Sequence, residues 1–333
     1  MHQITLQEQD SDTTFFCAND DVLLRAGLRQ GLALPYECNA GGCGTCKFEL
    51  LEGDVDILWA DAPGLSERDK RKGRLLACQC RPKSDCKIKL RLDPQCLPKI
   101  KAQRQSVKLI TTRAITHDIL EIHLQAQQAA EFLPGQYALL MINGQIQRAY
   151  SMANLPNAAG DWVFQIRKVP QGQMTTVLFD ENALKHAVLQ LDGPYGTAHL
   201  QQKNRPIVCV AGGSGLAPML SIARGVAMDP LLQQQPVWFF HGGREQRDLL
   251  SQEQLQQWTG LGQRLHYIAA SSNQHIPNVY HGYIHDVLEQ QLGEQLKDCE
   301  IYCAGPPPMV QSIERLTHQL GIDQTSVHFD RFF

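Results

Sequence analysis

Residues 36–46 read Tyr36-Glu37-Cys38-Asn39-Ala40-Gly41-Gly42-Cys43-Gly44-Thr45-Cys46, and the spacing of their thiols decides what surrounds them. Cys38, Cys43 and Cys46 stand at C-x4-C-x2-C in a glycine-rich loop, and Cys78 follows far downstream in Leu75-Leu76-Ala77-Cys78-Gln79-Cys80. This is a ligand spacing for a [2Fe–2S] cluster. Thiolates from one short loop must converge on a small rhomb, so the chain turns sharply around it. Gly41, Gly42 and Gly44 supply that freedom and let backbone N–H groups approach the sulfurs. A structural zinc knuckle is the competing reading. Zinc sites favour two short ligand pairs over three close cysteines and one distant one.

The flanks of the loop suggest a small α+β unit. Residues 4–17 read as two short strands around an Asp/Ser turn, with Ile4, Leu6, Phe15 and Phe16 as candidate core residues. Asn19 or Asp20 is the expected cap of a helix carrying Val22, Leu23, Leu24, Ala26 and Leu28, ended by Gly31. Phe48-Glu49-Leu50 is strand-like, Gly53-Asp54 a turn, and Ser66-Glu67-Arg68-Asp69 a capping box opening a short charged helix. The basic run Arg68, Lys70, Arg71, Lys72, Arg74 could dock a partner, but a solvated helix face is the better reading. Strand, strand, helix, metal loop, strand resembles the β-grasp fold of plant-type ferredoxins.

The chain has 333 residues, which suits two or three domains. Residues 93–105, with two prolines, three basic residues and little periodicity, have linker composition. Segments 107–112, 118–124, 137–142, 162–167 and 187–191 then alternate and are broken by turn residues, which predicts an antiparallel barrel of about six strands. After Arg205-Pro206 the texture changes. Continuous apolar runs at 207–211, 237–240, 265–269 and 300–303, separated by helical stretches, predict an open parallel sheet of nucleotide-binding type. The expected boundaries are 1–94, a linker at 95–104, 105–203 and 204–333.

Composition excludes several functions. Net charge is −3, which gives no electrostatic case for nucleic acid. No apolar run approaches the ~20 residues that span a bilayer. No signal peptide opens the chain, and the remaining cysteines among the eleven show no disulfide framework. The expectation is a cytoplasmic, reduced protein without nucleic-acid or membrane partners.

Five further stretches carry chemistry. Arg148-Ala149-Tyr150-Ser151 places Arg148 and Tyr150 on one strand face, fit for a phosphate and an aromatic ring. Alone it reads more readily as a strand with a chance surface arginine. Ile166-Arg167-Lys168 and Gly172-Gln173-Met174-Thr175-Thr176 add a cationic pair and a turn able to hold a pyrophosphate. Ala211-Gly212-Gly213-Ser214-Gly215-Leu216-Ala217-Pro218-Met219 follows a buried strand, with Pro218 suited to a helix's first turn, although it is not G-x-G-x-x-G. Cys303-Ala304-Gly305-Pro306 repeats that logic at the last strand's end. Cys303 is either a buried small hydrophobe or a thiol lining a nucleotide site.

Arg-x-Tyr-Ser, Gly193-Pro194-Tyr195-Gly196, Gly-Gly-Ser-Gly-Leu-Ala-Pro and Cys-Ala-Gly-Pro-Pro, in that order behind the cysteine loop, resemble the ferredoxin–NADP+ reductase superfamily. More narrowly, the chain resembles NADH-dependent reductase components of bacterial multicomponent oxygenases. Pro35-Tyr36-Glu37-Cys38-Asn39, Ala62-Pro63-Gly64-Leu65-Ser66 and the terminal His328-Phe329-Asp330-Arg331-Phe332-Phe333 look most like reductases of toluene/alkene monooxygenases. The resemblance implies a [2Fe–2S] cluster on Cys38, Cys43, Cys46 and Cys78. It implies FAD held by Arg148, Tyr150, Ser151, Ile166, Lys168, Gly172, Met174 and Thr175. It implies NADH cradled by Gly212, Gly213, Gly215, Pro218, Gly305 and Pro306. Tyr150, Ser151, Cys303 and either Phe332 or Phe333 would stand at the reacting rings.

The implied function is an oxidoreductase that moves a hydride from NADH to flavin and single electrons through the cluster. The implied acceptor is a Rieske-type ferredoxin or di-iron hydroxylase, with the chain acting as a monomer. NADH is preferred on the resemblance, because His241-Gly242-Gly243-Arg244-Glu245-Gln246-Arg247-Asp248 carries a Gly-x-Arg turn, whereas two arginines could also meet a 2′-phosphate. The competing readings are direct delivery to a ring-hydroxylating dioxygenase and a redox-sensing or metal-stabilised binding module.

Overall fold

The computed structural model describes residues 1–7 and 12–332. The Asp/Ser turn expected between the first strands, and Phe333, lie outside the described residues. The chain forms two compact units: Met1–Gln103 with Tyr195–Thr197, and Arg104–Pro194 with Ala198–Phe332.

In the first unit, β1 (His2–Gln7), β2 (Thr13–Cys17), β3 (Lys47–Glu52), β5 (Arg74–Leu76) and β7 (Cys86–Lys89) make a sheet in the order β2-β1-β7-β3-β5. The central pair β1/β7 is parallel and its neighbours are antiparallel. A separate ladder joins β4 (Val55–Ile57) to β6 (Cys80–Pro82). Ile4, Leu6, Phe15, Phe48 and Ile88 are buried, together with Leu23, Leu24 and Leu28 of α1 (Leu23–Arg29). The helix start differs from the sequence expectation. Val22 is the N-cap and no side chain caps it. Asp21, rather than Asn19 or Asp20, accepts from the Val22 N–H at 2.8 Å. Its carboxylate is held there by Arg25 at 3.5 Å and by Arg29, both from the helix it precedes. The capping box of α2 (Glu67–Arg71) is present, with Ser66 and Asp69 exchanging bonds. Arg68, Arg71 and Lys72 of the basic run are exposed, as a solvated face requires.

In the second unit, β8 (Gln103–Ala114), β9 (Ile119–Ala126), β10 (Tyr137–Ile142), β11 (Ile146–Ser151), β12 (Asp161–Arg167) and β13 (Leu189–Tyr195) form a six-stranded sheet in the order β11-β10-β13-β8-β9-β12. The sheet curls until its edges meet: Met152, just past β11, bridges antiparallel to Phe164 on β12. Trp162, Phe164, Ile166, Leu140 and Met174 fill the interior. The expected turn at 172–175 is instead the start of a short helix, α3 (Gln173–Leu178), followed by α4 (Glu181–Lys185). The apolar face of α3, Met174 and Leu178, pulls it onto the barrel core.

A parallel sheet completes the unit, in the order β17 (Tyr280–His281), β16 (Leu265–Ser271), β15 (Val237–Gly243), β14 (Ile207–Gly212), β18 (Glu300–Gly305), β19 (Val327–Arg331). Helices α5 (Leu216–Met228) and α6 (Gln252–Thr259) bury their apolar stripes on one face, and α7 (Ile284–Leu292) and α8 (Pro307–Gln319) on the other. β19 is a correction to the sequence reading, which took 328–333 as a tail. His328 and Asp330 make the segment look polar, but Val327 and Phe329 pack on the core and Cys303 pairs with Phe329 in register. Among the described residues no helix is long and apolar enough to cross a membrane.

Candidate functional site

The four cysteines come together as two pairs. Cys38 Sγ donates to Cys43 Sγ at 3.2 Å, which holds the Cys43 thiol well below its ordinary pKa and Cys38 well above it. Cys46 and Cys78 form the second coupled pair, with Cys78 held low by its bond from Cys46. Backbone N–H groups of Ala40 and Cys43 point at Cys38 Sγ at 3.4 and 3.3 Å, and that of Thr45 at Cys43 Sγ at 3.5 Å. Two thiol pairs among amide donors fit a two-iron cluster, because each iron takes two cysteines and the N–H groups offset the cluster's negative charge. The loop backs onto its neighbour without room to spare: Gly44, at φ +77, would place a Cβ 2.3 Å from the Gly64 carbonyl oxygen.

In the second unit, Ser151 at the end of β11 meets Asp330 on β19. The Ser151 hydroxyl donates to Asp330 Oδ2 at 2.5 Å. Poor solvation raises the Asp330 carboxyl to about 6, against the lowering effect of that bond, although the residue keeps part of its surface open. Tyr150 is half-buried against the barrel core and burial pushes its phenol up. Arg148 is exposed, and among the described residues its guanidinium contacts only the Gln147 carbonyl at 2.7 Å. A free cation two residues from a partly covered phenol fits a flavin with its phosphate tail.

The other expected flavin residues divide. Lys168 lies over the Phe179 ring at 5.6 Å. Thr175 Oγ1 donates to the Val169 carbonyl at 3.0 Å and fixes the 169–175 turn, with Gly172 at its N-cap. Ile166 and Met174 are buried inside the barrel, so they support the strand and helix from beneath.

In the same unit a cleft of about 540 Å³ opens at the carboxyl ends of the parallel strands. Gly212 and Gly213 after β14, Gly242 to Arg244 after β15, and Pro306, Pro308 and Met309 after β18 line it, with Asp118 and Arg167 from the barrel. Glycines are needed here for close approach. A Cβ on Gly215 would lie 1.9 Å from the Ala304 oxygen, and one on Gly212 would lie 2.7 Å from Met309 Sδ. Of the expected nucleotide residues, Gly212, Gly213 and Pro306 line the cleft, and Gly305, at φ +155, precedes it. Gly215 and Pro218 are buried, in the turn and first helical residues that carry the cleft floor. Cys303 lies fully inside the apolar cluster with Val210 and Phe240, and burial pushes its thiol up.

Sequence reasoning picked out Arg167, Arg244, Arg247 and Asp248 but missed Asp118 and the pairing that makes a charged wall. Arg167 Nε pairs with Asp118 at 2.7 Å, and Arg244 Nε pairs with Asp248 at 3.3 Å while its Nη2 lies 3.9 Å from Asp118. Burial raises the Asp248 pKa, but hydrogen bonds and charge from Arg244 outweigh it and hold the carboxyl low. Arg247 pairs with Glu245 at 3.0 Å. Asp118 gives no motif signal beyond the Thr116-x-Asp118 turn it shares.

Curled barrel, parallel sheet and cysteine loop define a class, an electron-transfer flavoprotein with its own iron–sulfur unit. Comparison with known proteins is specific. Residues 6–83 match the 2Fe-2S iron-sulfur cluster binding domain, 106–200 the oxidoreductase FAD-binding domain and 209–315 the oxidoreductase NAD-binding domain. The chain is 39% identical to the ferredoxin–NAD(P)+ reductase CarAd of Metapseudomonas resinovorans, over 100% of both chains. It is 38% identical to the ferredoxin–NAD+ reductase component of the alkene monooxygenase system of Xanthobacter autotrophicus, over 96% of this chain and 98% of that one. The solved ferredoxin reductase in carbazole 1,9a-dioxygenase superposes with a TM-score of 0.89 at 38% identity, covering 100% of this chain and 98% of that one. The chain therefore belongs to the ferredoxin–NAD(P)+ reductases of oxygenase systems. It is an oxidoreductase that binds a [2Fe–2S] cluster, FAD and NAD(H), and it passes electrons to oxygenase components.

Proposed function

We propose that the chain oxidises NADH in preference to NADPH and delivers electrons from the Cys38/Cys43/Cys46/Cys78 centre to a separate ferredoxin of an oxygenase system. The observation that carries the nucleotide preference is that the two arginines lining the cleft, Arg167 and Arg244, and Arg247 in the segment after it are all already paired with carboxylates. Arg244 is occupied by Asp248 and Arg247 by Glu245, and Asp118 and Asp248 line the wall. A 2′-phosphate entering there meets carboxylates and, among the described residues lining the cleft, arginines already paired, whereas a ribose 2′-hydroxyl has acceptors to bond.

Bound FAD supplies the chemistry that accepts a hydride and releases electrons singly. The residues of this chain position it and keep water out. Arg148 offers its charge to phosphate, and Lys168 with the 172–175 segment holds the tail. Tyr150 presents a rigid aromatic surface. The Ser151 hydroxyl and Asp330 carboxyl form a pair that can hold a proton on Asp330 below about pH 6, above the usual carboxylate range. Gly212, Gly213, Gly305 and Pro306 admit the dinucleotide backbone, on a floor carried by Gly215 and Pro218. Phe332, packed against the sheet's apolar cluster, is the aromatic at hand for the flavin face. Cys303 acts from below as packing under the strand end. We take the modules as 1–94, 105–203 and 204–333, joined by a linker at 95–104, and the chain as a monomer, as the resemblance implies.

A ferredoxin acceptor is supported by the names of the two relatives above, both ferredoxin reductases. One serves a monooxygenase system, and the similar solved structure comes from a dioxygenase system. The oxygenase class therefore rests with the ferredoxin. The test is an anaerobic absorption titration of the holoprotein with NADH and, separately, with NADPH. Bleaching of flavin and then of the cluster bands, far more readily with NADH, is expected. Equal response to both nucleotides would remove the preference, and flavin bleaching without cluster bleaching would remove the electron path.

A further inference from the structure

At the end of β4 and just beyond it, Ile57, Leu58 and Trp59 are 43, 42 and 46% exposed. A single exposed leucine is ordinary, but three consecutive large apolar side chains at one turn are a candidate contact surface.

Their position is set by the metal loop. Ile57 pairs in register with Cys80, two residues past the ligand Cys78. The Leu58 N–H donates to the Gln79 carbonyl at 2.9 Å, and Gln79 Nε2 points at Cys78 Sγ at 3.7 Å. The Trp59 ring lies against the first ligand stretch, where a Cβ on Gly41 would be 3.1 Å from its Cε3. The turn is closed by the Ala62 N–H, which donates to the Trp59 carbonyl at 3.3 Å. The apolar triad is thus tied to both arms of the ligand set and still faces outward.

We propose that Ile57, Leu58 and Trp59 are the landing surface for the protein that takes electrons from the cluster, a redox protein whose own cofactor edge opens in an apolar face. The inference rests on electron transfer from this cluster to a protein acceptor. Electron transfer needs the two centres close together, and this surface lies on the ligand loop itself. Apolar contact there expels water between the centres, and Trp is the residue type most often dominant in such contacts. A patch this small suits a partner that must leave after each electron, as in transient redox encounters.

The test uses full-length holoprotein reduced with dithionite, freed of excess reductant, and mixed anaerobically at high ionic strength with oxidised cytochrome c, a one-electron protein acceptor whose exposed haem edge is ringed by lysines that the salt screens. Ferricyanide serves as an acceptor too small to need a docking surface. In Trp59→Ala, and in the double variant Ile57→Ser/Leu58→Ser, the second-order rate constant toward cytochrome c should fall about tenfold or more. The ferricyanide rate and the cluster's absorption spectrum should not change. Leu231→Ser, at a position 67% exposed in the second unit, should behave as wild type. Unchanged cytochrome c rates in both patch variants would overturn the proposal. So would an equal loss toward ferricyanide, which would mean the residues only hold the cluster. Because dithionite supplies the electrons, a failure of the NADH reading shows separately, as wild-type protein that NADH does not reduce.

Discussion

Replacing Gly215 with alanine tests how the nucleotide cleft is built. The new Cβ would lie 1.9 Å from the Ala304 oxygen, 2.3 Å from its carbonyl carbon and 2.8 Å from the Gly305 nitrogen. All three neighbours are backbone, so no side-chain rotation relieves the overlap. Either the 213–215 turn lifts or the end of β18 moves, and those are the two segments that shape the cleft floor. Overpacking of this kind costs about 1–3 kcal/mol, and a collision with fixed backbone belongs at the upper end. At roughly 2–4 °C per kcal/mol for a unit of this size, the melting temperature of the second unit should fall by about 6–12 °C. The displaced floor should raise KM for NADH about tenfold or more, since ~1.4 kcal/mol of lost binding is already tenfold. Cluster absorption should be unaffected. Gly260→Ala is the control: its φ is +70 but nothing lies within 4 Å of the added atom, so it carries a local backbone cost of roughly 1–2 kcal/mol with no effect on KM. Thermal melts and steady-state NADH kinetics decide the matter. A Gly215→Ala protein with wild-type melting temperature and KM would refute the close-approach argument.

Cys78→Ser should leave the NADH-driven bleaching of flavin intact while abolishing cluster absorption and rapid reduction of a one-electron protein acceptor; a variant that keeps the cluster's EPR signal would remove Cys78 from the ligand set. Asp248→Asn takes a negative charge from the cleft wall and leaves Arg244 only the longer approach to Asp118 at 3.9 Å, so the NADH-to-NADPH ratio of kcat/KM should fall about tenfold, a change of ~1.4 kcal/mol; an unmoved ratio would place selectivity elsewhere. Asp330 is raised from 3.8 to about 6 by burial, so its protonated form is the one the fold favours. Its contribution to stability is complete below 3.8 and lost as pH rises through about 6. Melts of Asp330→Asn should therefore depend less on pH across that window, and a slope equal to wild type would count against it.

Much of the site could be read from the residues because local constraints leave local marks. A metal loop needs its ligands within a few residues, so Cys38, Cys43 and Cys46 announce themselves, and Ser66 and Asp69 mark a helix start by reciprocal bonding over one turn. Where a constraint is not local, the reading failed. Asp21 outcompetes Asn19 and Asp20 because Arg25 and Arg29 hold it from the helix beyond. The segment 327–331 is an edge strand because β18 offers it a free ladder and a core for Val327 and Phe329, neither visible in five mostly polar residues.

Neighbouring residues carried the cluster ligands, the glycine-rich strand ends and the change of hydrophobic period, and with them the modules and their order; FAD and NADH came from the family resemblance that those motifs carry in that order. Only the tertiary structure decided which side chains face the chemistry. It sent Cys303 into the core, because alternation along a buried strand fixes the side chain's direction regardless of its reactivity. It joined Ser151 to Asp330, and Asp118 to Arg167 and Arg244, across separations that no local pattern records. Charge pairing acts through space, and the chain distance between partners leaves no imprint on either one's neighbours.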